Sequence, residues 1–273
     1  GIRKGALTQE QADAKLAAWL EAKAGKVDAK KDGLTKAQAD AKAKAFKAEQ
    51  DVNAKRLAAA AQAEADAIAA EGARKAWEKG SKVVVLPTIP FGVNTGQSDI
   101  YLDMNIYPST QLIILKDIIE VLNRQGLKKL LILNSHGGNN FQPMLRELGL
   151  NYPDMMLFTC NWYQALDKSL YFEEAGDHAD EMETALIQYL HPELILPVEE
   201  AGDGEEKKSV IRGIREKWAW AERKWSQVTE DTGIGNPKKA TPEKGKRYFE
   251  DVTDKVADLI SDICSAKPGE LYK

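Results

Sequence analysis

Lys128-Lys-Leu-Leu-Ile-Leu-Asn134 runs without a break into Ser135-His-Gly-Gly-Asn-Asn140. The first part is an apolar run of strand length, and the second is small, polar and rich in glycine. A helix predicted over Ser109–Arg124 precedes this strand and is ended by Gly126, and another helix follows the polar stretch. A buried strand between two helices indicates an α/β fold with a parallel sheet covered on both faces.

The same alternation extends to both sides of this stretch. An amphipathic helix predicted over Asp66–Lys79 leads into the apolar run Lys82-Val-Val-Val-Leu86, which predicts a strand, and then into the proline-rich loop Pro87–Gly92. Met155–Cys160 predicts a further strand. The sequence therefore predicts a mostly parallel sheet flanked by helices.

His136 lies where the strand that ends at Asn134 meets the polar loop. Ligands of parallel α/β sheets bind at the carboxyl ends of the strands. The two glycines after His136 let the backbone approach a bound ion or substrate closely. This position favours a metal-ligating histidine; the alternative is a tight turn in which the imidazole caps the next helix.

A second polar cluster, Asp177-His-Ala-Asp-Glu-Met-Glu-Thr184, leads into a predicted helix. His178 and Glu181 are three residues apart, which predicts that they share one helix face. An imidazole and a carboxylate together suit a hard or borderline divalent metal. Glu183 is expected to project elsewhere, and the two aspartates fit an acidic helix start that the helix dipole favours.

Residues 1–64 differ in composition from the rest of the chain. They hold 13 Lys and Arg against 9 Asp and Glu, although the whole chain has a net charge of −4. Their alanines and lysines are strong helix formers, and Thr8 with Gln11 resembles a capping box. Gly25 predicts the end of that first helix and Thr35 the start of a second. So few large apolar residues cannot build a core, which predicts a solvated Ala/Lys-rich helical arm with too few basic residues to favour nucleic-acid binding.

Composition also limits the class of protein. The chain is 43% hydrophobic and 29% charged, so it can bury a core. Its apolar runs are far shorter than the roughly 20 residues of a membrane span. The two cysteines, Cys160 and Cys264, are far apart in sequence, which argues against a disulfide framework and favours a cytoplasmic setting.

Four segments in order resemble the creatininase (creatinine amidohydrolase) family: Val83–Gly92, Asn134–Asn139, His178–Thr184, and Gly233–Pro237 with the Ala240–Gly245 that follows. The resemblance covers about residues 66–273. Members of this family are metal-dependent amidohydrolases of cyclic or formylated amides. The resemblance therefore implies a creatininase-like α/β fold, a small-molecule amide substrate, and a homo-oligomer that in this family is usually a hexamer.

The resemblance also implies roles for single residues. It makes His136 and Glu181 metal ligands and His178 the proton donor to the leaving nitrogen. A histidine and a carboxylate suit zinc, manganese or iron. Gly137, Asp177 and Trp162 are predicted to contact the substrate.

The chain departs from the family at its beginning. Family members begin with a strand that ends in Glu-x-His-Gly, followed by a metal-bridging aspartate, whereas no histidine precedes His136 here. Asp66 is the candidate replacement for that aspartate. Residues 1–64 stand in this place and resemble the Lys/Ala-rich C-terminal extension of a bacterial small-subunit ribosomal protein.

The sequence thus predicts two parts, a helical arm over 1–64 and a creatininase-like domain over 65–273 that lacks the usual first strand and metal loop. The predicted function is a family amidohydrolase whose metal is depleted and whose activity is impaired. One alternative is a non-catalytic or chimeric creatininase-fold scaffold. The other is a ribosome-associated or RNA-associated role through the arm.

Overall fold

The computed structural model describes Gly5 and residues 8–101 and 103–272. It describes the backbone alone at residues 24, 27–29, 32, 34, 45–46 and 48–58. The chain divides into two compact units, Gly1–Asn53 and Ala54–Lys273. Within the described residues, no helix is both long enough and apolar enough to cross a membrane.

The regular elements, in chain order, are α1 (Gln9–Glu78), α2 (Pro108–Arg124), β1 (Lys129–Asn134), α3 (Gln142–Asn151), β2 (Met156–Asn161), α4 (Glu181–Leu190), α5 (Arg212–Arg215), α6 (Trp225–Val228) and α7 (Pro242–Ser265). Short 3₁₀ turns connect several of them, among them Trp162–Gln164 after β2 and Lys168–Leu170 before α4.

The first unit is helical from Gln9 onward, and the predicted capping box is confirmed. The Thr8 amide donates to the Gln11 side chain at 3.1 Å, and the Gln11 amide donates to the Thr8 hydroxyl at 3.2 Å. The predicted break between Gly25 and Thr35 is wrong. A single glycine costs a helix only about 1 kcal/mol among strong helix formers, and the Thr35 hydroxyl donates to the Lys31 carbonyl one turn earlier instead of capping a new helix.

The arm packs sparsely wherever its side chains are described. Those of residues 8–23 are exposed except for the partly buried Ala12, and the described side chains between Gly25 and Lys47 are all exposed. The apolar side chains of Leu7, Leu34, Phe46 and Leu57 lie outside the described residues. The helical arm is therefore confirmed, while its packing over residues 48–58 stays a prediction.

In the second unit, β1 and β2 form a two-stranded parallel sheet, with α3 as the connection between them. The register pairs Lys129 with Met156 and Asn134 with Asn161, so two asparagines meet at the carboxyl edge. Both strands occur where the sequence predicts them. The sheet is nevertheless smaller than expected.

The strand predicted over Lys82–Leu86 is absent. Residues 81–91 contain neither helix nor strand, and Val84 is 80% exposed while Leu86 is 45% exposed. A strand forms only where a neighbour accepts and donates its backbone hydrogen bonds. In the described part of the chain no backbone hydrogen bond joins residues 83–91 to another segment, so this apolar run remains an extended loop.

The two faces of the sheet are covered by different helices. On one face, Leu130 and Ile132 of β1 pack against a cluster from α2, α3 and Met155. On the other face, Leu131 and Leu133 pack against a larger cluster that includes residues of α1, α4 and α7. The alternation of side chains along a strand explains this division, and it confirms a parallel sheet flanked by helices.

Helices α4 and α7 make the closest contact in the larger cluster. A Cβ atom added to Gly245 of α7 would lie 1.9 Å from the carbonyl oxygen of Ala185 in α4. The start of α7 is fixed by Thr241, whose hydroxyl accepts from the Lys244 amide at 3.3 Å, and by Pro242 in the first turn. Position 245 therefore accommodates only glycine at this helix separation.

We expect Gly245→Ala to lower the free energy of unfolding by about 1–3 kcal/mol, because the helices must separate to admit the methyl group. Gly149→Ala in α3 is the matched control, since a Cβ there has no atom within 4 Å. That control is expected to change stability by less than about 1 kcal/mol, in the stabilising direction. Urea unfolding followed by tryptophan fluorescence measures both, and equal effects at the two positions would contradict the close packing of α4 on α7.

Candidate catalytic site

The backbone of His136 is held at the carboxyl end of β1 by two hydrogen bonds with the side chain of Asn134. Asn134 Oδ1 accepts from the His136 amide at 3.2 Å, and Asn134 Nδ2 donates to the His136 carbonyl at 3.0 Å. The imidazole Nε2 lies 3.1 Å from the carbonyl oxygen of Val93. Burial lowers the pKa of His136, the contact with Val93 opposes the shift, and the charge of His178 adds to it. The imidazole is therefore neutral at pH 7, the form that binds metals.

A chain of side-chain amides supports this loop. Asn139 Nδ2 donates to Asn134 Oδ1 at 3.0 Å, and Asn139 Oδ1 accepts from Gln111 Nε2 at 2.9 Å. Asn134 Nδ2 also donates to Asn161 Oδ1 at the end of β2, at 2.8 Å. The chain of amides thus links the His136 loop to α2 and to both strands. Sequence reasoning missed these supports, although an asparagine at the end of each predicted strand was a visible signal.

The glycines after His136 have different surroundings. A Cβ at Gly138 would lie 2.2 Å from the Val93 carbonyl oxygen and 2.6 Å from His136 Nε2, so only glycine fits beside the imidazole. A Cβ at Gly137 would meet no atom within 4 Å. Gly137 therefore leaves open space at the loop.

The other two predicted substrate residues are engaged in protein contacts. Trp162 is 2% exposed and donates from its indole nitrogen to the Ser135 hydroxyl at 2.7 Å, so it lies beneath the His136 loop. Asp177 is exposed and accepts from Arg223 Nη1 at 2.7 Å. Trp162 is therefore adjacent to the His136 loop through Ser135, whereas Asp177 is held by Arg223.

His178 faces Glu183 rather than Glu181. His178 Nδ1 lies 3.8 Å from Glu183 Oε2, and its ring packs edge-on against Trp225 with centroids 5.5 Å apart. The expected shared helix face with Glu181 is wrong because α4 begins only at Glu181, and Ala179, with φ of 50°, turns the chain between them.

The orientation of Glu183 follows from the way α4 is capped. The Asp180 side chain accepts from the Glu183 amide at 2.9 Å, and Glu183 Oε2 accepts from the Ala179 amide at 2.6 Å. This reciprocal pattern resembles a capping box, so the expectation that Glu183 projects elsewhere is wrong. The Asp-x-x-Glu spacing was the sequence signal that places Glu183 beside His178.

Glu181 is fully buried and its oxygens are all engaged. Its Oε2 accepts from the amides of Glu173 and Glu174 at 2.9 and 2.8 Å, and its Oε1 lies 2.5 Å from Lys244 Nζ. The hydrogen bond to Glu181 raises the pKa of the Lys244 ammonium. Glu181 thus already has a cationic partner.

The donors present do not fit a firmly held metal ion. Within the described residues, no three His, Cys, Asp or Glu side chains lie together in a way that holds a metal. Glu181 is paired with Lys244, and Asp66 is exposed and accepts a hydrogen bond from Thr88. The structure therefore places His178 beside Glu183, and the described residues provide no complete set of metal ligands around them.

Glu64 is a buried acid that sequence reasoning missed, because that reasoning assigned it to the solvated arm. Glu64 is 7% exposed. Burial, together with the charges of Glu183 and Asp180, raises the pKa of its carboxyl well above the ordinary 4.5. The hydroxyl of Tyr248 is buried without a hydrogen-bond partner among the described residues. Burial raises the pKa of this hydroxyl, and the charge of Glu64 raises it further. The last turns of α1 thus contribute an acid next to the capped start of α4.

A family model matches residues 58–260, and its description is creatininase, creatinine amidohydrolase. The chain belongs to the creatininase family. Among solved structures, it resembles a candidate creatinine amidohydrolase from Bacteroides fragilis NCTC 9343, with 42% identity, a TM-score of 0.72, and coverage of 77% of this chain and 83% of that one. A creatininase crystal structure is 20% identical with a TM-score of 0.58, covering 73% of this chain and 82% of that one, and it shares the fold.

The N-terminal segment matches a different protein. It is 87% identical over 69 residues to small ribosomal subunit protein bS16 of Flavobacterium johnsoniae, which is 25% of this chain and 37% of that protein. The bS16 of Flavobacterium psychrophilum is 79% identical over 58 residues, 21% of this chain and 32% of that protein. The chain thus spans about a third of the length of these curated relatives. The resemblance of the arm to a ribosomal protein is confirmed.

Glu64→Gln is expected to stabilise the protein at pH 8 by on the order of 1–3 kcal/mol, because it removes a buried ionisable group that has no cationic hydrogen-bond partner among the described residues. A carboxyl with a raised pKa binds its proton more tightly in the folded state, so the wild type loses stability as pH rises above 4.5. The advantage of the variant should therefore shrink as the pH falls towards 4.5.

Urea unfolding of both proteins across this pH range measures the difference. Glu78→Gln is the matched control, because Glu78 is on the same helix with its side chain 64% exposed, and it should change stability by less than about 1 kcal/mol at every pH. A Glu64→Gln variant that is less stable than wild type at pH 8 would show that the carboxylate is stabilised where it lies.

Proposed function

We propose that the chain is a creatininase-family amidohydrolase that cleaves the C–N bond of a small cyclic or formylated amide, with a metal site impaired by missing ligands. The observation that carries this proposal is the His136 loop at the carboxyl end of β1, where a half-buried imidazole lies next to the open space at Gly137. Parallel α/β folds bind their ligands at this edge. Membership of the creatininase family supports amide hydrolysis as the reaction.

His178 is proposed as the general acid. Its side chain is 36% exposed, so a substrate nitrogen can approach it, and Glu183 and Trp225 fix the ring from two sides. Protonation of the leaving nitrogen lets the amine depart without forming an unstable anion. Gly137, Asp177 and Trp162 are proposed for the substrate side, Gly137 through the open space at the loop and Trp162 by supporting the loop from below.

The proposed cofactor is a divalent metal, with zinc, manganese or iron as candidates. Two creatininase structures with 20% and 18% identity and TM-scores of 0.51 and 0.57 carry the descriptions Zn–Zn type and Mn. The ligands proposed in this chain are His136 and Glu181. Two protein ligands leave an ion mostly hydrated, and Glu181 is already paired with Lys244. The proposed site therefore holds its metal weakly.

The proposal includes an organisation for the whole chain. The arm over residues 1–64 is an appended segment, and residues 65–273 carry the hydrolase site. A cytoplasmic homo-oligomer is proposed, supported by two free cysteines and by exposed apolar side chains close together in sequence. Those side chains are Val210, Ile211, Trp218 and Trp220. The nearby Trp225 is instead buried beside His178.

After extensive dialysis we expect substoichiometric metal and hydrolysis of creatinine and formamide close to the uncatalysed rate. Elemental analysis measures the metal, a creatine assay measures the ring opening of creatinine, and an ammonia assay measures the hydrolysis of formamide. His178→Ala should remove any residual turnover, whereas His191→Ala is the matched control because His191 pairs with Glu193 at the end of α4. Retention of about two metals per chain with robust turnover would contradict the impaired site.

A further inference from the structure

The ammonium of Lys244 sits among three oxygen atoms. Its Nζ lies 2.5 Å from Glu181 Oε1, 3.1 Å from Glu173 Oε1 and 3.0 Å from the carbonyl oxygen of Lys239. A lysine ammonium has three donor hydrogens, so this set uses all of them. Lys244 therefore fills a small oxygen-lined cation position.

The two carboxylates of this position differ in exposure: that of Glu181 is buried and fixed, and that of Glu173 is open to solvent. Glu181 is 0% exposed and is fixed from behind by the amides of Glu173 and Glu174, whereas the side chain of Glu173 is 61% exposed. Lys244 is in the first turn of α7, where the Thr241 cap and the close contact at Gly245 set its position against α4. The fold itself thus places the ammonium on the buried carboxylate.

We propose that Lys244 is the resident cation of Glu181 and competes with a divalent metal for this carboxylate. The inference rests on the proposed function, which counts Glu181 among the metal ligands. A metal ion that binds Glu181 must displace an ammonium that is attached to the same chain and therefore does not diffuse away. The competition would keep the metal occupancy of the wild type low even where free metal is abundant.

Removal of the ammonium has a defined consequence. A buried carboxylate that loses its partner is strongly destabilising, so the variant gains stability from any cation that takes the vacated place. The oxygens left behind are those of two carboxylates and one backbone carbonyl, all hard ligands of the kind that manganese accepts. The same change that weakens the apo protein should therefore create a manganese site.

The experiment compares Mn²⁺ binding, measured by electron paramagnetic resonance titration, in wild type, Lys244→Met and Lys239→Met. Lys239 is the matched control because it pairs with Glu173 and Glu174 but makes no contact with Glu181 among the described residues. We expect Lys244→Met to bind Mn²⁺ at least about tenfold more tightly than wild type. Without metal its Tm should fall by roughly 6–12 °C, and saturating Mn²⁺ should recover most of that loss. Lys239→Met should bind Mn²⁺ as wild type does.

If Lys244→Met does not fold without metal, the double variant Lys244→Met with Glu181→Gln provides a folded protein for comparison. It removes both charges, so it should fold without metal and bind Mn²⁺ no better than wild type. A non-folding single variant should then gain native circular dichroism when refolded with Mn²⁺.

Two outcomes overturn the inference: equal Mn²⁺ affinity of Lys244→Met and wild type, or an equal gain in Lys239→Met. Both outcomes concern Mn²⁺ affinity, whereas failure of the proposed function would appear in the hydrolysis assay, as turnover that His178→Ala leaves unchanged.

Discussion

The close contact between α4 and α7 is the constraint on which the second unit depends. At Gly245 the two backbones approach so closely that even a methyl group would meet the carbonyl of Ala185. The contact brings the capped first turn of α7 over the first turn of α4, and with it Lys244 over Glu181. A buried ion pair of this kind resists loss of either partner, because the remaining charge would be stranded in the interior. The same contact that packs the core thus decides which cation Glu181 receives.

The two strands and the His136 loop could be predicted because local sequence determines them. An apolar run of strand length, a polar end and two glycines define β1 and its turn whatever lies around them. The Thr241–Pro242 start of α7 is equally local. Lys82–Leu86 has the same composition as a strand, yet a strand also requires a paired neighbour, and composition carries no information about that neighbour. This is why the predicted sheet is larger than the observed one.

The wrong predictions about the site also arise because local sequence does not report tertiary contacts. Helical spacing placed His178 and Glu181 on one face, but a single residue of positive φ at Ala179 puts His178 outside the helix. Glu64 lies in an Ala-rich stretch whose composition resembles the solvated arm, so its burial could not be predicted from local sequence. The charges of Asp180 and Glu183 that act on it belong to a segment distant in sequence. The family match begins at residue 58 and therefore includes Glu64. Burial at such a position depends on tertiary packing, which helix propensity does not report.

We expect the second unit to be held by the packing of α4 on α7 and by its internal ion pair rather than by a metal ion. Urea unfolding of the wild-type chain, followed by tryptophan fluorescence, tests this most directly when it is performed once after dialysis against EDTA and once with Mn²⁺ added. A metal that stabilises the folded state raises the unfolding midpoint in proportion to its binding. We expect the same midpoint in both samples, and a midpoint that falls after EDTA treatment would show that a bound metal ion stabilises the fold.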